Sequence, residues 1–206
     1  DLPTDLCKAV WKEVRALVKR QERPLSCRDM YPFVRTCWRI EAIDLCDAGK
    51  WVTDSSLSAL ACVTSLTSVR LTACKFITDA GLSFATRLPA LQTLDVSWTD
   101  VGDDGVSASL SRCASLTSLN LTGLTNLSDR GVSSLLGLAR LERLSLACTP
   151  ITDAALDYLT YYTRYPDAGP AHLGLHSLRW LELSSTRLTD TGVGKLVAVI
   201  EEGTPY

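Results

Sequence analysis

The stretch that decides the fold is Leu116–Ala139, which reads LTSLNLTGLTNLSDRGVSSLLGLA. Its opening letters, LTSLNL, set apolar residues two and three apart, as on a strand with one buried face. A turn follows, and then Ser128 and Asp129, a pair typical of a helix N-terminus. An apolar run at helical spacing completes the stretch. This segment therefore predicts a strand, a turn and a helix.

The same phrase recurs along the chain, with isoleucine or valine replacing some leucines. The six phrases begin at Ile40, Leu66, Leu91, Leu116, Leu141 and Leu178. Their start-to-start spacings are 26, 25, 25, 25 and 37, which indicates an array of one repeated unit. The enlarged fifth interval predicts an insertion at about residues 160–177.

Each phrase is followed by a turn and then by an apolar residue and Thr-Asp, Ser-Asp or Gly-Asp. Small polar residues cap helices, and an aspartate favours the positive end of the helix dipole. The aspartates occur once per unit, so we interpret them as structural and not catalytic. Apolar pairs should then face the core, from Leu57 and Leu60 in the first helix to Val193 and Leu196 in the last.

This pattern resembles the leucine-rich repeats of the cysteine-containing type found in F-box substrate receptors. The motif L-x-x-L-x-L-x-x-C is met literally at residues 66–74, while Thr99, Leu124 and Thr149 stand at the cysteine position in the next three units. The resemblance implies an α/β fold, a right-handed solenoid shaped like a horseshoe. Its parallel strands would line the concave side, its helices the outside, and its six repeats residues 38–206.

Residues 1–37 lack the repeat and predict a helical N-terminal cap with an amphipathic stripe. Two interpretations stay open, because a solenoid end needs a lid and the same stripe would provide one. The alternative is an adaptor-docking helix, since the Leu-Pro start is similar to the first helix of an F-box. The residues that would dock a ligase adaptor are Leu2, Pro3, Leu6 and Val10. The rest of an F-box is matched only loosely by residues 25–40.

Composition excludes several classes of partner. A net charge of −2 gives no electrostatic reason to expect nucleic acid or an acidic membrane. No apolar run approaches the roughly 18 residues of a membrane span. The eight cysteines contain no C-x-x-C pair and sit mostly among apolar residues, so we expect reduced thiols and a cytoplasmic or nuclear protein. The chain begins at Asp1, which indicates a fragment or processed chain.

No motif for catalysis or cofactor binding is present. The sequence has no phosphate-binding glycine loop, nucleophile elbow or recognisable Cys/His pairing. His172 and His176 have a spacing that could hold a metal on a helix, but they lie in a Gly- and Pro-containing loop without further ligands. We therefore expect no enzyme, no cofactor, no metal and no small-molecule substrate.

The residues between the leucines should face the concave side, because strand side chains alternate. The predicted protein-binding residues are Arg70, Asp95, Asn120, Arg143, Trp180 and Glu182 on the strands and Tyr158, Tyr161 and Tyr165 in the insertion. An exposed tryptophan beside an arginine is typical of an interface. Two plainer readings remain: charge pairs such as Asp44–Arg70–Asp95 on a solvated sheet, and tyrosines that cover the loop's own small core.

The sequence thus predicts a non-catalytic protein–protein interaction module, working through the concave sheet and the aromatic insertion as a subunit of a larger assembly. The alternative is the substrate-recognition subunit of a cullin-type ubiquitin ligase, with the N-terminal helix docking the adaptor.

Overall fold

The computed structural model describes residues 40–46, 49–164 and 177–201, with Lys12, Ala16 and residues 28–31. One parallel sheet of six short strands, in sequence order, runs through the described chain. The strands are β1 (Ala42–Asp44), β2 (Ser68–Arg70), β3 (Thr93–Asp95), β4 (Ser118–Asn120), β5 (Arg143–Ser145) and β6 (Trp180–Glu182). One strand per phrase confirms the predicted α/β solenoid of six repeats.

Helical segments connect the strands. The α-helices are Asp54–Leu57, Asp103–Ala108, Asp129–Ser133, Asp153–Arg164 and Asp190–Glu201, and the 3-10 helices are Ser58–Cys62, Asp79–Arg87, Leu110–Arg112 and Ser134–Gly137. The sequence predicted α-helices, but much of the helical structure in the first four repeats is 3-10. A 3-10 helix rises about 2.0 Å per residue, so a short repeat spans the same length with fewer residues. The apolar pairs three residues apart suit either helix.

A single hydrophobic core runs between sheet and helices. Each strand sends its middle residue inward, such as Leu119, and each helix sends its apolar pair to meet it. Met30 is also buried in this core, which places residues 28–31 against the first repeat. The prediction for Val193 was wrong, because its side chain is 43% exposed. No further repeat covers it in the described chain.

The repeated aspartates join neighbouring repeats. Asp103 accepts hydrogen bonds from the backbone N–H (2.7 Å) and hydroxyl (2.6 Å) of Ser128, the residue that begins the next repeat's helix. Asp54, Asp129 and Asp153 bind the next repeat's threonine in the same way, and Asp79 accepts from the N–H of Gly102. The sequence analysis assigned these residues only to their own helices; the structure adds this bond between repeats.

The glycine two residues after the aspartate makes room for that bond. A Cβ added at Gly105 would lie 2.5 Å from Oδ1 and 2.8 Å from Cα of Asp79 in the preceding repeat. Gly81, Gly131 and Gly192 are crowded by the preceding aspartate as well. Close packing of successive helices therefore explains the Asp-x-Gly motif.

One backbone position after each of strands β2–β6 adopts a left-handed conformation. Its residues are Ala73, Trp98, Gly123, Cys148 and Ser185, with φ between 55° and 72°. Gly123 has a second role, because a Cβ there would overlap the indole of Trp98 from the preceding repeat. The ring of Trp98 thus lies across the Gly123 backbone.

Candidate protein-binding surface

The strand register arranges the outward side chains of the sheet in two columns. One column is Ala42, Ser68, Thr93, Ser118, Arg143 and Trp180, and the other is Asp44, Arg70, Asp95, Asn120, Ser145 and Glu182. These are the columns that the spacing of the leucines predicted. Arg143 and Trp180 are direct neighbours across β5 and β6.

A hollow of about 730 Å³ lies on this face of the sheet, between β2 and β6. All six strand residues predicted for protein binding line it: Arg70, Asp95, Asn120, Arg143, Trp180 and Glu182. The array therefore brings residues more than 100 positions apart in sequence into one depression.

The predicted tyrosines do not join this hollow. Tyr158 is 43% exposed, on the helix Asp153–Arg164. That helix buries Leu156 and Leu159 in the core and so covers the side opposite the sheet. The expected surface uniting Tyr158 with Trp180 is therefore wrong. Tyr161 is described only as backbone of the same helix, and Tyr165 lies outside the described residues.

Hydrogen bonds within the strands satisfy most acidic and amide groups of the hollow. Asp95 accepts from the N–H (2.9 Å) and hydroxyl (2.6 Å) of Ser97. Glu182 accepts from the hydroxyls of Ser145 and Ser184, each at 3.1 Å. Arg70 pairs with Asp44 at 3.4 Å, so the expected chain of charges stops before Asp95.

The arginines near β5 and β6 differ from these groups. Arg143 and Arg179 are exposed and have no ion-pair partner within the described part of the chain. Trp180, 49% exposed, follows Arg179 in sequence and adjoins Arg143 across the sheet. Two unpaired guanidinium groups and an open indole thus meet at one end of the hollow.

Two lining residues escaped the sequence analysis. Glu142 and Arg179 each follow the first leucine of their phrase, directly before β5 and β6. Their backbones meet, since Arg179 donates its N–H to the carbonyl of Glu142 at 2.8 Å. Strand alternation alone does not assign this position to the hollow. Its recurrence at the same offset in both repeats was the available signal.

The described cysteines are free thiols. Burial raises the pKa of Cys74 to about 12 and that of Cys113 to about 11, so both stay protonated at neutral pH. No group of three or more metal-ligating side chains occurs in the described residues. Within that same part of the chain, no helix is long and apolar enough to span a membrane.

Comparison with known families agrees with this geometry. A family model for the leucine-rich repeats of an FBD-associated F-box protein matches residues 38–135, and a second leucine-rich repeat model matches residues 174–197. The chain is a leucine-rich repeat protein. Residues 136–173, which include the enlarged fifth repeat, lie outside both matches. A search of curated proteins gave no match to the chain.

Several predicted sites fall outside the described residues. They are the adaptor-docking residues Leu2, Pro3, Leu6 and Val10 and the histidines His172 and His176. These assignments stay predictions, as does the division of the chain into a cap over residues 1–37 and a repeat domain.

Proposed function

We propose that this chain recognises a protein partner in the hollow of its sheet, with Arg143, Arg179 and Trp180 as the main contacts. Leucine-rich repeats generally mediate protein–protein interactions and are typically not catalytic. The observation that carries the proposal is the half-exposed Trp180 between two arginines that have no ion-pair partner among the described residues.

The composition of this group fits an interface hot spot. Tryptophan and arginine dominate such spots, and their truncation typically reduces affinity by about 2 kcal/mol or more. The carboxylates of the same hollow already bind serine hydroxyls, so they are less available to a partner. A partner would therefore gain most by covering the indole and supplying acceptors to the guanidinium groups.

Affinity purification from the native cell, followed by quantitative mass spectrometry, tests this surface. The double variant Trp180→Ala/Arg143→Ala should lose partners that the wild-type chain retains, by roughly 30-fold in affinity. Arg87→Ala, an exposed arginine on the helical side, is the matched control and should retain them. Equal recovery by all three folded chains would rule out the hollow as the binding surface.

A second function rests on the N-terminus and on the matched family. We propose that residues 1–37 also dock a ubiquitin-ligase adaptor, which would make the partner in the hollow a substrate. Two observations favour it: the matching repeat model is described as that of an F-box protein, and the chain opens with an F-box-like Leu-Pro start.

Alanine at Leu2, Pro3 and Leu6 separates the two roles of this segment. If it docks an adaptor, the triple variant should lose adaptor co-purification while its thermal unfolding stays unchanged. A lower melting temperature would instead identify the segment as a cap, because a cap stabilises the first repeat.

We further propose the cytoplasm or nucleus as the location, since the described cysteines are free thiols. Imaging of a tagged chain tests this, and accumulation in the secretory pathway would contradict it.

A further inference from the structure

We propose that the C-terminal end of the solenoid is a second docking surface, which binds a strand-and-turn segment of a partner protein as a seventh repeat-like unit. We call this surface the end face. It consists of the outer edge of β6 with Leu183 and Ser185, the Asp190 carboxylate, and the apolar side chains of Val193 and Val197.

The first feature of the end face is its open strand edge. In the fifth repeat, Leu146 donates its N–H to the carbonyl of Glu182 (2.9 Å), and Cys148 donates to that of Ser184 (2.8 Å). The equivalent donors of the sixth repeat, Leu183 and Ser185, have no acceptor among the described residues. An extended partner segment can pair with such an edge as an added strand.

The second feature is the Asp190 carboxylate. Each of the five preceding aspartates accepts a hydrogen bond from the residue that begins the next helix. Asp190 ends the series and has no hydrogen-bond donor in the described part of the chain. The preceding repeats thus define what it would bind: a backbone N–H and a Thr or Ser hydroxyl at a helix N-terminus.

The third feature is apolar. Val193 and Val197 are each 43% exposed, whereas the residues equivalent to Val193 in the three preceding repeats are fully buried. Those equivalents are Val106, Val132 and Leu156. Covering the end face as the other interfaces between repeats are covered would remove this apolar area from water.

A second copy of this chain does not fit the end face. The first repeat is closed, since Ile43 and Val52 are buried, and the N–H of Thr53 already binds the Ser56 hydroxyl at 2.9 Å. The position that would donate to Asp190 is therefore satisfied within its own helix. Two end faces placed together would leave both carboxylates without donors. The partner must supply a different segment.

The interfaces between repeats also define the partner's sequence. It should carry L-x-L for the strand and, six or seven residues later, Thr or Ser before a helix, as in this chain's own repeats. A synthetic peptide of residues 116–132, which carries Leu119, Leu121 and Ser128, is a suitable probe. Binding of the labelled peptide to the full chain is measured by fluorescence anisotropy.

We expect Asp190→Ala to weaken this binding at least tenfold, because it removes a charged hydrogen-bond acceptor. Asp104→Ala, which removes an exposed carboxylate far from the end face, is the matched control and should leave binding unchanged. Ser128→Ala in the peptide should weaken binding to the wild-type chain but cause no further loss with Asp190→Ala, as in a double-mutant cycle. Amide hydrogen exchange should slow at Leu183 and Ser185.

Three outcomes would overturn the proposal: no binding by the folded chain, equal binding by Asp190→Ala, or slowed exchange confined to other strands. Arg143→Ala separates this surface from the hollow. It should leave peptide binding intact, and loss of binding in that variant alone would assign the peptide to the hollow instead.

Discussion

The middle repeats and the last two repeats are built on the same leucines but present different surfaces. In the third and fourth repeats, the outward residues are small and polar, and Asp95 and Asn120 bond to groups of their own strand ends. In the fifth and sixth repeats, Arg143 and Trp180 replace serine and threonine, and β6 ends in an unpaired edge. The scaffold is shared, while the groups available to a partner are concentrated at one end.

This difference shows where function is encoded in a repeat protein. The buried positions tolerate little variation, because each packs against two neighbouring repeats. The outward positions carry no such constraint, so they are free to differ between units. Three experiments test this contrast between the closed interfaces of the middle and the open end.

The largest effect is expected at the glycines that let repeats approach. Gly105→Ala places a methyl group 2.8 Å from Cα of Asp79, a backbone atom that cannot move aside without shifting the helix. We expect a loss of about 1–3 kcal/mol in the free energy of unfolding, measured by urea denaturation. Gly194→Ala, with nothing within 4 Å, should instead be neutral or gain up to about 1 kcal/mol. Equal effects would contradict the crowding.

A smaller effect is expected for the aspartates, and it should depend on their place in the array. Asp103→Ala removes the acceptor for the Ser128 N–H and hydroxyl and for the N–H of Gly131 at 3.1 Å. We expect about 1–2 kcal/mol of destabilisation in the same assay. Asp190→Ala removes no such bond in the isolated chain and should be nearly neutral. A comparable loss there would show that Asp190 already has a partner.

The smallest effect concerns pH. The Thr189 hydroxyl (2.6 Å) and N–H (2.8 Å) bind Asp153 and lower the pKa of its carboxyl. The folded state therefore favours the ionised form, and this stabilisation is complete above the unfolded pKa of about 4. It is lost as the pH falls through the folded pKa. Thermal melts should show a weaker loss of stability on acidification for Asp153→Asn than for wild type, and parallel curves would contradict this linkage.

The sequence was sufficient to predict the scaffold and most of the hollow. The spacing of leucines determined which residues point inward, and the phase placed Arg143 beside Trp180 before any coordinates were considered. This works because a period of two leaves each strand residue only two faces, and a buried leucine assigns one of them.

Other features depend on distances that no local pattern encodes. The bond from Asp54 to Thr78 joins residues 24 positions apart, and the same aspartate would look identical as a simple helix residue. Tyr158 follows β5 closely in sequence but lies on the helical side, because the turn between them reverses the chain. The choice between α and 3-10 helix was also hidden, since both place apolar pairs three residues apart.

The contact between Trp98 and Gly123 determines the order of the units. An indole lies across the backbone of the following repeat, and only a residue without Cβ leaves space for it at that position. Ala73, Cys148 and Ser185 occupy the equivalent site elsewhere, so no other repeat of this kind can follow the third. Although the six units look interchangeable in their leucines, a permuted array would clash at this junction. The chain is therefore an ordered assembly whose third and fourth members specify each other.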